Sequence, residues 1–198
     1  MFYFFTKRLV CILTKILPTI IPNLAKIFFI IFLIFNPVLY ADRTSNITPD
    51  GSTDTNIDTA QNGITIINIA DPNSGVSINN YDDFNISSDG AVFNNSPNAG
   101  NSHLAGAIVG NNNLQHGFAN IILNQITGSQ GSNLLGYMEV YGKQAELIIA
   151  NPNGIYCNGC GFINTSKVQL VTGNAIVNNH LIDGYNISKQ GLISIDKQ

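Results

Sequence analysis

Ala145-Glu146-Leu147-Ile148-Ile149-Ala150-Asn151-Pro152-Asn153-Gly154-Ile155, continued by Tyr156-Cys157-Asn158-Gly159-Cys160-Gly161-Phe162-Ile163-Asn164-Thr165, is the most informative stretch of this 198-residue chain. Ala145 to Ala150 is short, apolar and ends abruptly, as a strand does. Asn151-Pro152-Asn153-Gly154 then has the residue types of a type I turn. Asn stands first, Pro fixes φ at the second place, Asn tolerates the bridge region at the third, and Gly closes the turn. A new strand is predicted from Ile155. Strand, tight corner, strand is how one coil of a β-solenoid bends.

Outward from this corner the composition is that of many short strands. Residues 42–198 hold 26 Asn. Asn is a poor helix-interior residue because its amide competes for nearby backbone groups, and it favours turns for the same reason. Apolar runs recur at 64–69, 76–78, 84–86, 91–93, 107–109, 119–126, 136–141, 145–150, 168–171, 175–177, 181–187 and 192–195. The run 119–126 is ambiguous by periodicity alone. Residues 94–103 read as an Asn/Ser/Pro/Gly loop and 42–62 as a flexible lead-in. Two architectures fit such a string, a β-sandwich or a parallel β-helix. Asn stacking on Asn between successive coils favours the helix, but no strict repeat period is visible.

The first 41 residues differ from the rest. They carry Lys7, Arg8, Lys15 and Lys26, no acid, and the apolar run from Ile27 to Phe35, broken by Pro37. This is the pattern of an export signal with cleavage between Ala41 and Asp42. A membrane anchor is the alternative, but the run is nine residues, against the roughly 20 needed to span a bilayer. Residues 42–198 have five basic and twelve acidic residues. That balance offers no footprint for nucleic acid.

The quoted stretch resembles the two-partner-secretion, or haemagglutination-activity, domain of filamentous haemagglutinins, large haemolysins and contact-dependent inhibition proteins. The matching residues are Asn151-Pro152-Asn153-Gly154-Ile155, the Cys157–Cys160 pair, Gly161-Phe162-Ile163-Asn164-Thr165 and Val171-Thr172-Gly173. Upstream, Gly75-Val76-Ser77-Ile78-Asn79, Val92-Phe93-Asn94-Asn95-Ser96, Ile122-Leu123-Asn124-Gln125-Ile126-Thr127 and Gly136-Tyr137-Met138-Glu139-Val140 extend it. The family's second motif, Asn-Pro-Asn-Leu, matches Asn111-Asn112-Asn113-Leu114, where Asn112 replaces the proline. The missing φ constraint is worth about 0.4–1 kcal/mol.

The resemblance implies an all-β, right-handed parallel β-helix over 63–198, a single-stranded solenoid with extra short strands near its N-terminus. It implies a secretion-targeting domain of a haemagglutinin-like adhesin, recognised at the two Asn corners by the periplasmic domains of an outer-membrane transporter barrel. The same domain heads contact-dependent inhibition toxins and haemolysins, which is the alternative; a β-helix carbohydrate-active enzyme is a third. The implied destination is the surface or surroundings of a Gram-negative bacterium, reached through the periplasm and outer membrane. Host or neighbouring cells would be met by downstream regions. With no capping element after Leu192–Ile195, the domain is expected to be truncated.

The remaining chemistry is sparse, and no catalytic residue, cofactor or metal is expected. Cys157 and Cys160 are expected to form a local disulfide in an oxidising compartment, with free thiols or a redox or metal role as alternatives. One Cys-x-x-Cys cannot complete a four-cysteine zinc site, and His103, His116 and His180 lack ligand spacing. Asp82-Asp83 reads as a solvated turn rather than a calcium site. The sequons at Asn46 and Asn186 are treated as chance.

Overall fold

The computed structural model describes residues 45–196. The export signal and the cleavage point at Ala41–Asp42 lie outside the described residues. The strands, in chain order, are β1 (Asn46–Pro49), β2 (Asn56–Thr59), β3 (Thr65–Asn68), β4 (Val76–Asn85), β5 (Ala91–Asn95), β6 (Gly100–Ser102), β7 (Gly106–Ile108), β8 (Ile121–Ile126) and β9 (Ser132–Leu134). They continue with β10 (Tyr137–Gly142), β11 (Ala145–Ala150), β12 (Ile155–Asn158), β13 (Gly161–Ile163), β14 (Thr165–Val171), β15 (Gly173–Asn178), β16 (Leu181–Ile187) and β17 (Ile193–Asp196). Among the described residues there is no helix.

Three parallel faces organise these strands. The first stacks β4, β8, β11 and β14. The second stacks β3, β5, β10 and β13. The third stacks β9, β12 and β17, and Ile86 joins it through a single parallel bridge to Leu134. The chain visits the second, first and third faces in turn and then repeats the circuit one strand further on. That is a parallel β-helix.

Side-chain alternation fills the interior. Ile67, Tyr81, Phe84, Phe93, Ile122, Met138, Leu147 and Ile155 belong to one buried cluster inside the coils. The Phe84 and Phe93 rings stack with centroids 6.4 Å apart.

Two hairpins explain why no repeat period is visible. β6 pairs antiparallel with β7 between β5 and β8, and β15 with β16 between β14 and β17. Both interrupt the circuit, so the coils differ in length. They also bury outward-facing residues. Ala105 and Ile108 cover Ile64, Ile66 and Val92; Val177, Ile182 and Tyr185 pack on Leu123, Ile148 and Val171. Strands buried on both sides read as unbroken apolar runs rather than alternating ones, which is the pattern of Leu147–Ala150.

Four sequence expectations are corrected. The lead-in 42–62 contains β1 and β2, which run antiparallel against β4 and β3 and cover the N-terminal edges of the first two faces. One buried residue, Ile47, and one half-buried residue, Ile57, suffice to seat these polar strands. They also hide strand edges that would otherwise invite pairing. The loop 94–103 contains β6. The run 76–78 and the start of the run 84–86 belong to one strand, β4, because the Asn79 between them points inward and is hydrogen-bonded. Asp82-Asp83 therefore sits in a strand, not a turn; Asp83 is opposite Thr48 of β1.

Asn stacking takes a broader form than expected. Asn94 Nδ2 donates to Asn68 Oδ1 of the preceding coil at 2.9 Å, an Asn-on-Asn contact at matched register. Elsewhere the amide reaches a backbone carbonyl of the next coil. Asn79 donates to Leu123 O at 3.2 Å and Asn124 to Ile148 O at 3.1 Å. These bonds satisfy buried side-chain N–H donors that would each cost about 1–3 kcal/mol if unpaired, although Asn94 Oδ1 itself is buried without a partner.

Candidate recognition corners

The two motif tetrapeptides adopt one hydrogen-bonding scheme. In the second corner, the Gly154 amide donates to Asn151 O at 3.2 Å, closing the turn. The Asn153 amide donates to Asn151 Oδ1 at 2.8 Å, an Asx-turn nested in the backbone turn. In the first corner the Leu114 amide donates to Asn111 O at 3.4 Å, and the Asn113 amide to Asn111 Oδ1 at 3.0 Å. Asn112 thus occupies the proline's place without changing the scheme.

The leading Asn of each corner is buried and reaches across coils. Asn151 Nδ2 donates to Gln130 O and to Ser132 Oγ, each at 3.0 Å. Asn111 Nδ2 donates to Ile69 O at 2.9 Å and Asn94 O at 3.0 Å. The third-position Asn does the same from the surface. Asn153 Nδ2 donates to Gly128 O at 2.9 Å, and Asn113 Nδ2 to Asp54 O at 2.8 Å. Each corner is thereby a local turn welded to the coil before it.

The flanking residues complete the geometry. Gly154 has φ +113°, a conformation that an L side chain rarely adopts. Leu114 and Ile155 are buried in the interior cluster, while Asn112 is exposed and Pro152 half-buried. The corners occupy different places on the solenoid. The first lies in the segment between β7 and β8, the second between β11 and β12. Cys157 of β12 and Cys160 are joined as a disulfide, with Cα atoms 5.3 Å apart.

One residue with no signal in the sequence holds the first corner. Asp71 Oδ1 accepts the Gln115 amide at 2.8 Å and the His116 amide at 3.0 Å, and Asp71 Oδ2 meets His116 Nδ1. Desolvation pushes this carboxyl up, but the two amides and the His116 ring outweigh it, leaving Asp71 below the ordinary aspartate value. Its partners are more than forty positions away in the chain, so no local pattern announces it. Glu139 plays a similar part for the β6–β7 hairpin. Its buried carboxylate accepts Ser102 Oγ at 2.6 Å and the His103 and Leu104 amides at 2.9 and 2.8 Å.

By class the chain is a parallel β-helix with asparagine-welded corners and antiparallel strands over its N-terminal edge. A sequence model of the TPS secretion domain matches residues 45–198, and the chain belongs to this family. It is 44% identical over 156 residues to a hemolysin of Proteus mirabilis, covering 77% of this chain and 10% of that protein. It is 47% identical over 150 residues to the 16S rRNA endonuclease CdiA of Enterobacter cloacae, covering 74% of this chain and 4% of that protein. The crystal structure of the filamentous hemagglutinin secretion domain superposes with a TM-score of 0.71 at 43% identity, covering 76% of this chain and 50% of that one. The chain therefore spans a tenth or less of the length of the hemolysin and CdiA relatives, and it is a secretion-targeting domain.

Proposed function

We propose that this domain carries its polypeptide through the periplasm to a dedicated outer-membrane transporter barrel, whose periplasmic domains recognise the chain at Asn111–Leu114 and Asn151–Ile155. The observation that carries this reading is the shared scheme of the two corners, reproduced although one has lost its proline. The chain crosses unfolded, and coil-by-coil pairing on strand edges draws the emerging segment into the solenoid outside the cell. Strand addition to a partner's sheet suits a chain whose edges are still unpaired. The domain itself is not an enzyme and uses no metal or cofactor. Adhesion, pore formation or nuclease activity, as the relatives' names suggest, would reside in downstream sequence, and with it any contact with host or neighbouring cells. The product is released or displayed on the surface of a Gram-negative cell.

Coexpression with the transporter tests the recognition step. Replacing Asn151 and Asn153 together is expected to stop transporter-dependent appearance of the chain in the medium while leaving its periplasmic level intact. Undiminished secretion would refute recognition at this corner. Turnover of a polysaccharide by the purified chain would refute the non-enzymatic reading.

A further inference from the structure

The two corners leave their turns differently. After Gly154 the chain enters β12 at once. There the Ile155 amide donates to Leu192 O at 2.9 Å, the Ser132 amide donates to Gly154 O at 3.0 Å, and strands lie on both sides. Pro152 presets the turn itself. After Leu114 the chain enters no strand until Ile121, and Asn112 supplies no φ constraint. Yet Gln115 and His116 are both fastened, through their amides, to one oxygen of Asp71, and the His116 ring lies on the other oxygen. The Asp71 side chain is 22% exposed against 79% for the His116 ring, so the carboxylate is the fixed half of this clasp.

We propose that Asp71 is the positioning residue of the first corner, doing for Asn111–Leu114 what Pro152 and strand β12 do for Asn151–Gly154. The importance of this role rests on the reading of the corner as a recognition element; the clasp itself does not. Three further features fit. Asp71 follows Asn68 and Ile69, whose carbonyls accept the Asn113 amide side chain, so turn and clasp grip the same segment of the preceding coil. Two amide donors converge on a single carboxylate oxygen, and hydrogen bonds to an ionised acceptor are about twice as strong as neutral ones. Removing the clasp would leave Gln115 and His116 with no hydrogen bond to the preceding coil, the next link being the Asn120 amide on Gly75 O at 2.8 Å.

Amide hydrogen exchange on the purified full chain, read alongside transporter-dependent secretion, tests the proposal. Asp71→Ala is expected to speed exchange at His116 by about tenfold or more, the worth of a hydrogen bond to a charged group, and by less at Gln115, whose amide also donates to Asn113 O at 2.8 Å, with Ile155 and Cys157 unchanged. Asp71→Asn, which keeps an acceptor oxygen, should restore most of the protection, and adding Asn112→Pro to Asp71→Ala should restore it at Leu114. If Asp71→Ala does not fold, His116→Ala is read in its place, with a smaller acceleration confined to residues 114–116. Unchanged exchange at Gln115 and His116, or uniform acceleration throughout the chain, would overturn the clasp. A normal clasp with secretion indifferent to Asn111 and Asn113 would instead overturn recognition at this corner, so the two failures are distinguishable.

Discussion

Asn151 donates its side-chain amide to Ser132 Oγ at 3.0 Å, from the corner after β11 to the start of β9 in the preceding coil, and both residues are buried. The same Asn151 holds Gln130 O through its amide and the Asn153 backbone through its carbonyl. Asn151→Ala would remove all three bonds, taking a partner from the buried Ser132 hydroxyl and from the Asn153 amide donor. A loss of about 1–3 kcal/mol is expected, seen as a lower urea midpoint with an unchanged slope. Ser132→Ala removes one partner of several and should cost less. Equal losses from the two variants would show that Asn151 has no wider part.

Glycines where coils touch backbone to backbone should be intolerant of any side chain. A Cβ on Gly128 would lie 2.0 Å from Asp82 O, and one on Gly136 would lie 2.3 Å from Ser87 O. Neither neighbour is a flexible side chain that could swing away. Gly128→Ala and Gly136→Ala are expected to destabilise by about 1–3 kcal/mol or more, through overpacking. Gly184→Ala meets nothing within 4 Å and serves as the matched control in the same denaturation series.

The disulfide closes a very short loop, so its entropic effect on the unfolded chain is modest. The chain-entropy relation gives about 2 kcal/mol for a loop of this size. Replacing both Cys157 and Cys160 by Ser should lower the stability of the exported chain by that order, and reductant should produce the same shift in the parent chain alone. A parent chain that is insensitive to reductant while carrying no free thiol would contradict this.

Acid should weaken the corner clasp. Asp50 and Asp71 both have carboxyls held below the ordinary aspartate value of 3.8. In each, desolvation is outweighed by donors: the Ser52 side chain and amide and the Thr127 side chain for Asp50, and the Gln115 and His116 amides with the His116 ring for Asp71. A depressed folded-state pKa means the stabilisation is complete above the unfolded value and is lost as pH falls through the folded one. Stability of the parent chain should therefore fall as pH drops below about 4. Asp71→Asn should remove part of that contribution, so it is expected to be the less stable chain at neutral pH, with the gap closing as pH falls below about 4. The two chains' unfolding curves compared at neutral and acid pH would reveal it.

The corners were legible in the sequence because a turn is a local matter. Asn-Pro-Asn-Gly sets its own dihedrals, and even Asn111-Asn112-Asn113-Leu114 keeps the Asx bond that needs only residues two apart. β1 and β2 were not legible, since Ile47 and Ile57 are single apolar residues in polar surroundings, and only the edges of β4 and β3 make strands of them. The inward Asn79 likewise broke the apolar pattern of β4, and its place became evident only once Leu123 of the next coil was above it.

By itself, then, the sequence determined the all-β class, the places where the solenoid turns and the neighbourhood of the Cys157–Cys160 bridge, because each depends on residues a few positions apart. The tertiary structure decided which coil lies on which, that two hairpins cover the outer faces, and that Asp71 reaches the residues after Leu114. Those are contacts between segments tens of residues apart. Their register is set by the closure of whole coils around a shared interior, and no local run of residues encodes it.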